Sequence, residues 1–169
     1  MHDVDVVLDL LAEAAAWTAS RGYPNWPARF SPRLIAGNAR AGQLYLAEIA
    51  GEPVGTVTLL DRDPQFWGDE GDDGRAGYVH RLVVRRDHGG RGLGARLLAW
   101  SAESIRSGGR SELRLDEVTH NAPLRHYYEA SGFAYAREIE GEWVAKDGTR
   151  HAWCTSPYRR PCARPGSSL

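Results

Sequence analysis

The sequence has little of what marks several classes of protein. Only Cys154 and Cys162 are cysteines, and two cysteines so close to the C-terminus predict neither a zinc site nor a disulfide framework. No hydrophobic run approaches the roughly 20 residues that cross a bilayer, and the N-terminus lacks the cationic start of a signal peptide. We therefore expect a cytoplasmic protein with no membrane partner and no metal.

An excess of charge of one sign is also missing. Lys and Arg total 21 against 22 Asp and Glu, so the net charge is -1 and no positive field exists to gather nucleic acid. What is present is enough to bury a core: 169 residues, 42% of them hydrophobic, with six tryptophans. We expect one domain over residues 1–158, a flexible tail over 159–169, and a monomer or homodimer.

The first half of the chain predicts two helices and a hairpin. Apolar residues at three- and four-residue steps from Val6 to Thr18 indicate an amphipathic helix that ends near Gly22. Ser31 followed by Pro32 predicts a second helix to about Ala41. The β-rich runs from Gln43 to Ile49 and from Val54 to Leu60 predict an antiparallel hairpin. The polar, acidic stretch from Asp61 to Arg75 is interpreted as a loop.

The second half alternates strands and helices, which indicates an α/β or α+β domain. The predicted elements are strand Tyr78 to Arg85, helix Gly92 to Ser107, strand Glu112 to Val118, a helix capped by Asn121 that runs to about Ser131, and strands Phe133 to Ile139 and Thr149 to Ser156.

A glycine-rich turn lies between the first of these strands and its helix. Four of the six residues from Gly89 to Gly94 are glycine. Unpaired N–H groups and the positive end of the helix dipole meet at such a position, and the lack of a Cβ lets phosphate oxygens approach the main chain. A tight turn without a ligand is the alternative; the number of glycines and the following amphipathic helix favour phosphate binding.

A dinucleotide is one phosphate compound to weigh, because Gly90 to Ala95 also satisfies the permissive dinucleotide fingerprint. Asp116, however, lies somewhat beyond the expected distance for the ribose-binding acid. The polar residues from Arg85 to His88 and the antiparallel hairpin upstream argue against that fold. No Gly-Lys-Ser or Gly-Lys-Thr follows the turn, so a P-loop is not predicted.

The chain from about Val6 to Ile139 resembles the GNAT superfamily of N-acetyltransferases. The strand Val79 to Val84 with the glycine turn is similar to that family's main acyl-CoA motif. Asn121, Tyr128 and Glu129, followed by Gly132 and Phe133, are similar to its second motif. The two motifs come in the family's order, which makes the pair more specific than either motif alone.

This resemblance implies a mixed, mostly antiparallel bent sheet, flanked by helices, whose central strands splay apart. It also implies acetyl-CoA as co-substrate. Main-chain groups would bind the pantetheine arm and the amides of the turn would bind the diphosphate; the implied cofactor-binding residues are Leu82, Val83, Val84, Gly89, Gly90, Arg91, Gly92, Leu93, Gly94, Ala95, Asn121 and Tyr128. Gly89 departs from the family, which usually has Arg or Gln there, so Arg86 or Arg91 would have to replace that side chain.

The resemblance also suggests catalytic roles. Tyr128 matches the tyrosine that protonates the leaving thiolate, although core packing is the alternative for a helical aromatic residue. His80 stands where the family often has a glutamate base, and an imidazole suits that role because it titrates near neutrality. Asp116 and Glu117 are the reserve bases. A main-chain N–H near Val83 or Val84 would stabilise the oxyanion.

The acceptor is the least defined component. Trp67 and the acidic residues around it would suit a cationic amine, but a solvated acidic surface is the competing interpretation. Trp17, Tyr23 and Trp26 occupy the segment that forms the acceptor pocket in similar enzymes, with core packing as the alternative. We interpret Trp26, Trp67, Asp116 and Glu117 as candidate substrate-binding residues.

The sequence thus predicts an N-acetyltransferase that transfers the acetyl group of acetyl-CoA to a primary amine of a small molecule or peptide. No covalent enzyme intermediate is required, because the amine attacks the thioester directly in a ternary complex. Two alternatives stay open: a non-catalytic acyl-CoA sensor on the same fold, and a dinucleotide-binding oxidoreductase.

Overall fold

The computed structural model describes residues 2–24, 26–118, 121–144 and 150–162. Its helices and strands follow in chain order as α1 (His2–Ser20), α2 (Pro32–Arg40), β1 (Leu44–Ile49), β2 (Glu52–Leu60), α3 (Pro64–Trp67), β3 (Ala76–Val84), α4 (Leu93–Ser107), β4 (Glu112–Val118), α5 (Ala122–Ala130), β5 (Ala134–Tyr135), β6 (Ile139–Val144) and β7 (Arg150–Pro161). Two short 3-10 helices, Gly68–Asp72 and Arg86–His88, precede β3 and α4.

The chain forms two compact units, each built from two separate stretches of sequence. Unit 1 consists of residues 1–60 and 78–104, and unit 2 of residues 61–77 and 105–169. Our expectation of one domain over residues 1–158 stays a prediction. Within the described residues, no helix is long and apolar enough to cross a membrane.

Helix α1 forms as its apolar repeat predicts and ends where glycine permits it to end. Gly22 adopts φ +88°, and the N–H of Tyr23 donates to the carbonyl of Thr18 at 3.0 Å. This closing bond satisfies a carbonyl that the last helical turn leaves unpaired. The apolar side packs with α2 into the core of unit 1, whose buried members include Val7, Leu8, Leu10, Leu11, Ile35 and Val83.

Strands β1 and β2 form the predicted hairpin with a tighter turn than the sequence suggested. Ala50 and Gly51 both have positive φ, +52° and +81°, as a two-residue turn between twisted strands requires. Glu52 and Pro53 therefore belong to β2 and pair with Ile49 and Glu48. Strand β2 then pairs antiparallel with β3.

Unit 2 is organised around β7, which is longer than predicted. It pairs antiparallel with β4 from Glu112↔Pro161 to Val118↔Thr155, and β5 and β6 also pair with it. Arg159, expected to begin a flexible tail, pairs with both Arg114 and Ala134. The basic, proline-rich composition was therefore misleading, because strand pairing supplies main-chain partners whatever the side chains are. Residues 163–169 lie outside the described residues.

The acidic segment that we interpreted as a loop is folded. It contains α3 and a 3-10 helix, and Trp67, the last residue of α3, is only 1% exposed. Gly71 permits this, because a Cβ there would lie 2.4 Å from the carbonyl oxygen of Asp63, whose own N–H donates to Gly71 at 2.8 Å.

The described strand pairs within each unit are antiparallel, and helices alternate with them along the chain. The predicted class, a mixed α/β fold with a mostly antiparallel sheet, is confirmed.

Candidate functional site

The glycine turn of unit 1 has the backbone geometry of an anion nest. After the 3-10 helix, Gly89 is extended, with φ −61° and ψ 154°. Gly90 and Gly92 both adopt φ +73°, and α4 begins at Leu93. Two left-handed residues so close together turn successive N–H groups toward one side, an arrangement that glycine allows without strain.

The main-chain amides of this turn are available to a ligand. Among the described residues, none of the six amides from Gly90 to Ala95 donates to a main-chain carbonyl, and the first such bond at this end of α4 joins Arg96 to Gly92 at 3.1 Å. Gly89 differs from our expectation, because its N–H already donates to the carbonyl of Arg86 at 3.0 Å. The predicted phosphate-binding set is thus reduced to the amides of Gly90, Arg91, Gly92, Leu93, Gly94 and Ala95.

Charged side chains fix the start of the turn. Arg85 donates to Asp87 at 2.5 Å and to Glu52 at 2.7 Å, and its guanidinium lowers the pKa of Asp87 to about 2. The N–H of Arg86 donates to the carboxylate of Glu13 in α1 at 3.0 Å. Arg86 also stacks on Trp17 of the same helix, 3.8 Å from the ring centroid. The sequence suggested Trp17 as a contact for the acceptor. In the structure the guanidinium of Arg86 lies over its ring.

Strand β3 contains a bulge that sequence reasoning missed. Thr56 pairs with Val83 and Thr58 with His80, so Arg81 and Leu82 both stand opposite the single residue between those threonines. Arg81 has φ +49°, which is uncommon for a residue other than glycine. Its guanidinium donates to Asn38 at 2.9 Å, which helps to hold this conformation.

The bulge interrupts regular pairing within the strand segment expected to bind the pantetheine arm. Regular pairing resumes at Val83 opposite Thr56 and continues with Val84 opposite Gly55, where a Cβ would lie 2.6 Å from the carbonyl oxygen of Val83. That close approach explains the glycine. No pattern in the sequence marks Arg81 as the left-handed residue, because arginine does not favour that conformation.

A cleft of about 340 Å³ also lies in unit 1, between the β1–β2 hairpin and the start of α4. Its lining combines apolar side chains with Glu48, Arg96 and the exposed Trp100. Of the predicted cofactor-binding residues, Val84 and Leu93 line it.

Tyr128 lies in unit 2 on α5, with 9% of its surface exposed. Its ring packs against Phe133 and Tyr158, with centroids 5.9 and 6.0 Å away. Burial raises the pKa of Tyr128, and the nearby charges of Glu117 and Asp116 raise it further. The phenol is therefore protonated at neutral pH. This geometry suits both a proton donor and a packed aromatic residue.

Glu117 is a buried carboxyl in the same unit, only 4% exposed. The hydroxyl of Tyr158 donates to its Oε1 at 2.9 Å, whereas Oε2 has no hydrogen-bond partner among the described residues. Burial raises the pKa of Glu117 from its ordinary 4.5 to about 7, although the bond from Tyr158 opposes the rise. The neighbouring Asp116 accepts from Thr155 at 3.0 Å and is half-buried. Of the two reserve bases, Glu117 thus titrates near neutrality.

His80 lies in unit 1, half-buried on β3 and in register with Thr58. His80 directly precedes the left-handed Arg81. The bulge therefore begins immediately after His80. Sequence reasoning placed His80 on a strand correctly, and its role as a base stays a prediction.

Trp67 does not have the environment predicted for an amine-binding residue. The guanidinium groups of Arg114, Arg137 and Arg159 lie 4.9, 5.4 and 5.4 Å from its ring centroid. Glu70 in the acidic segment accepts from Arg137 at 2.7 Å. Because the ring is only 1% exposed and already has these guanidinium groups over it, the geometry does not favour stacking of an amine on Trp67, whose role in substrate binding stays a prediction.

Two further predicted residues have a structural role. Trp26 packs on the core of unit 1 and meets Phe30 edge-to-face at 5.5 Å. Asn121 caps α5, since its Oδ1 accepts from the N–H of Leu124 at 3.2 Å. The capping prediction for Asn121 is confirmed, whereas its contact with a cofactor stays a prediction.

Comparisons with known proteins agree on one family. The sequence model of the acetyltransferase (GNAT) family matches residues 11–133. The chain is 30% identical over 141 residues to the uncharacterized N-acetyltransferase YesJ of Bacillus subtilis (strain 168), a match that covers 79% of this chain and 78% of that protein.

Solved structures show the same fold. A GNAT-family acetyltransferase from Listeria monocytogenes 4b F2365 matches with a TM-score of 0.74 and 22% identity, over 95% of this chain and 90% of its own. A putative acetyltransferase from Salmonella typhimurium, solved with its cofactor acetyl-CoA, matches with a TM-score of 0.67 and 18% identity, over 99% of this chain and 93% of its own.

Proposed function

This chain belongs to the acetyltransferase (GNAT) family, and from that membership we propose that it transfers the acetyl group of acetyl-CoA to a primary amine of a small molecule or peptide. The amine would attack the thioester directly in a ternary complex. The observation that carries the proposal is the run of six main-chain amides from Gly90 to Ala95, which is unpaired within the described residues and opens a helix.

The amides would bind the diphosphate of acetyl-CoA. Each phosphate oxygen carries negative charge, and the N–H groups at the start of α4 lie at the positive end of the helix dipole. The positive φ of Gly90 and Gly92 orients these groups without strain. Main-chain groups of Leu82, Val83 and Val84 would bind the pantetheine arm, as an added strand binds to a strand.

Tyr128 would protonate the departing thiolate of CoA. Its burial keeps the phenol protonated at neutral pH, which a general acid requires. Direct attack would need no nucleophilic cysteine: the thiol of Cys154 donates to Glu138 at 2.8 Å, and Cys162 is buried.

His80 and Glu117 are the two candidates for the base that takes the proton of the amine. A general base is most effective when its pKa lies near the working pH, and the pKa of Glu117 is about 7. If Glu117 is the base, turnover falls as the pH drops through about 7, and Glu117→Gln removes that dependence together with most of the activity. If His80 is the base, His80→Gln has that effect instead.

Acetylation of an amine panel tests the proposal. The panel contains polyamines, aminoglycosides, amino acids and peptides, and free thiol released from acetyl-CoA is the readout. We expect at least one amine to accelerate thiol release far above hydrolysis. Saturable binding of acetyl-CoA without turnover across the panel would instead support the acyl-CoA sensor, and no binding at all would contradict both.

A further inference from the structure

The guanidinium group of Arg86 occupies the space beside Gly89. A Cβ at Gly89 would lie 3.5 Å from Nη2 of Arg86 and 3.1 Å from its carbonyl oxygen. Gly89 directly precedes the six amides proposed to bind phosphate, and its own backbone is extended, with φ −61°. The cation of Arg86 therefore lies at the entrance of that amide run.

Helix α1 holds Arg86 in this position. The guanidinium lies 3.8 Å from the centroid of Trp17, and the main-chain N–H of Arg86 donates to Glu13 at 3.0 Å. The N–H of Gly89 donates back to the carbonyl of Arg86 at 3.0 Å. Arg86 is thus held by three contacts: its guanidinium lies on Trp17, its N–H donates to Glu13, and its carbonyl accepts from Gly89.

The guanidinium of Arg86 differs from that of Arg85 in its ion pairing. Its neighbour Arg85 is paired with Asp87 and Glu52, so that cation is neutralised within the protein. Among the described residues, by contrast, the guanidinium of Arg86 makes no ion pair and rests on a neutral indole. A stacked guanidinium keeps its N–H donors at the ring edge, where they can still bind a phosphate oxygen.

We propose that Arg86, held against Trp17, binds a phosphate group of acyl-CoA together with the amides of the turn. The inference rests on the proposed function. It adds that the affinity for acyl-CoA depends on the side chain of Arg86. CoA offers two phosphate groups to such a cation, the diphosphate and the 3′-phosphate of its ribose, and the experiment separates them.

Calorimetric titration of CoA and 3′-dephospho-CoA into wild type and Arg86→Ala tests this. A charge-assisted contact with phosphate predicts that Arg86→Ala raises the Kd for CoA about tenfold or more. An equal loss with 3′-dephospho-CoA assigns the contact to the diphosphate. A loss that occurs with CoA alone assigns it to the 3′-phosphate.

Arg21→Ala is the matched control. Arg21 lies over the same Trp17 ring at 5.3 Å, so its removal takes a cation from that ring while leaving Arg86 in place. We expect less than a twofold change in Kd. Thermal unfolding of each variant checks that the fold is intact, and Arg86→Gln, which keeps most of the side-chain length, replaces Arg86→Ala if that variant unfolds.

A second-site variant completes the design. Because Gly89 is extended and Arg86→Ala vacates the adjacent space, Gly89→Arg in the Arg86→Ala background should recover much of the lost affinity. The inference is overturned if wild type binds CoA and Arg86→Ala binds it equally well, or if Arg21→Ala weakens binding as much as Arg86→Ala does. Absence of CoA binding in folded wild type would overturn the proposed function itself.

Discussion

The backbone conformation of Gly92 limits which residues can replace it. The space around it does not. A Cβ there meets no protein atom within 4 Å, but φ is +73°, so any other residue is strained by roughly 1–3 kcal/mol. A bulky side chain would also stand where phosphate approaches the amides. We predict that Gly92→Val raises the Kd for acetyl-CoA by at least tenfold, measured by calorimetry.

The matched control for that strain is Gly42→Val. Gly42 has φ +68° and open space around it, but it lies between α2 and β1 rather than in the turn. It should lower the thermal stability by a similar amount and leave the Kd unchanged. Equal weakening of acetyl-CoA binding by both variants would show that the effect is general strain, and the assignment of Gly92 would be wrong.

Tyr128 tests whether a packed aromatic ring also acts as an acid. Tyr128→Phe keeps the contacts with Phe133 and Tyr158 and removes only the hydroxyl. General acid catalysis is typically worth 100-fold or more, so we predict a fall of about that size in kcat with little change in KM for acetyl-CoA. Unchanged kcat would leave Tyr128 with a packing role alone.

At the scale of helices and strands, Asn121 begins α5 through a side-chain bond to Leu124. Loss of such a cap costs about 1 kcal/mol. We predict that Asn121→Ala lowers the free energy of unfolding by that amount in urea titrations and that Asn121→Asp restores most of it. Ser31→Ala is the control, because Ser31 precedes α2 without making a side-chain capping bond, and it should change stability little.

The elements that the sequence predicted well are those with strong periodicity and clear ends. Helix α4 and strand β4 were placed within a residue because each has a regular apolar pattern and is bounded by glycine or polar residues. The helical turns around Trp67 were missed, because four residues carry no periodicity and their burial depends on contacts from Arg114 and Arg159, distant in sequence.

In the candidate site, too, local features could be predicted from the sequence and long-range contacts could not. The glycine turn could be predicted because a local run of glycines before a helix has one physical use. The bulge at Arg81 and the contact of Tyr158 with Glu117 could not, since both depend on pairing between strands far apart in the chain. The order of the two motifs carried the resemblance to acetyltransferases, and membership of that family is confirmed.

For the whole molecule, Glu117 makes stability depend on pH. Its pKa is about 7 in the folded protein against 4.5 ordinarily, so between these values the folded state binds the extra proton. The stability this provides is complete below pH 4.5 and is lost as the pH rises through 7. The rise in pKa corresponds to at most roughly 3 kcal/mol.

Glu117→Gln should remove this dependence. We predict that the variant gains stability relative to wild type between pH 4.5 and pH 8, as measured by thermal unfolding across that range. Glu48→Gln, which changes an exposed glutamate in unit 1, should show no such trend. Parallel pH profiles for wild type and Glu117→Gln would mean that Glu117 has an ordinary pKa.

The most direct measurement of the central claim follows the main-chain amides themselves. In a ¹⁵N-labelled sample of this 18.7 kDa chain, titration with acetyl-CoA should shift the amide resonances of Gly90, Gly92 and Gly94 along one saturable curve. The amides of Gly22 and Gly42, which lie in turns at the ends of other helices, should stay in place. Saturable binding that leaves the three turn glycines unmoved would contradict the account.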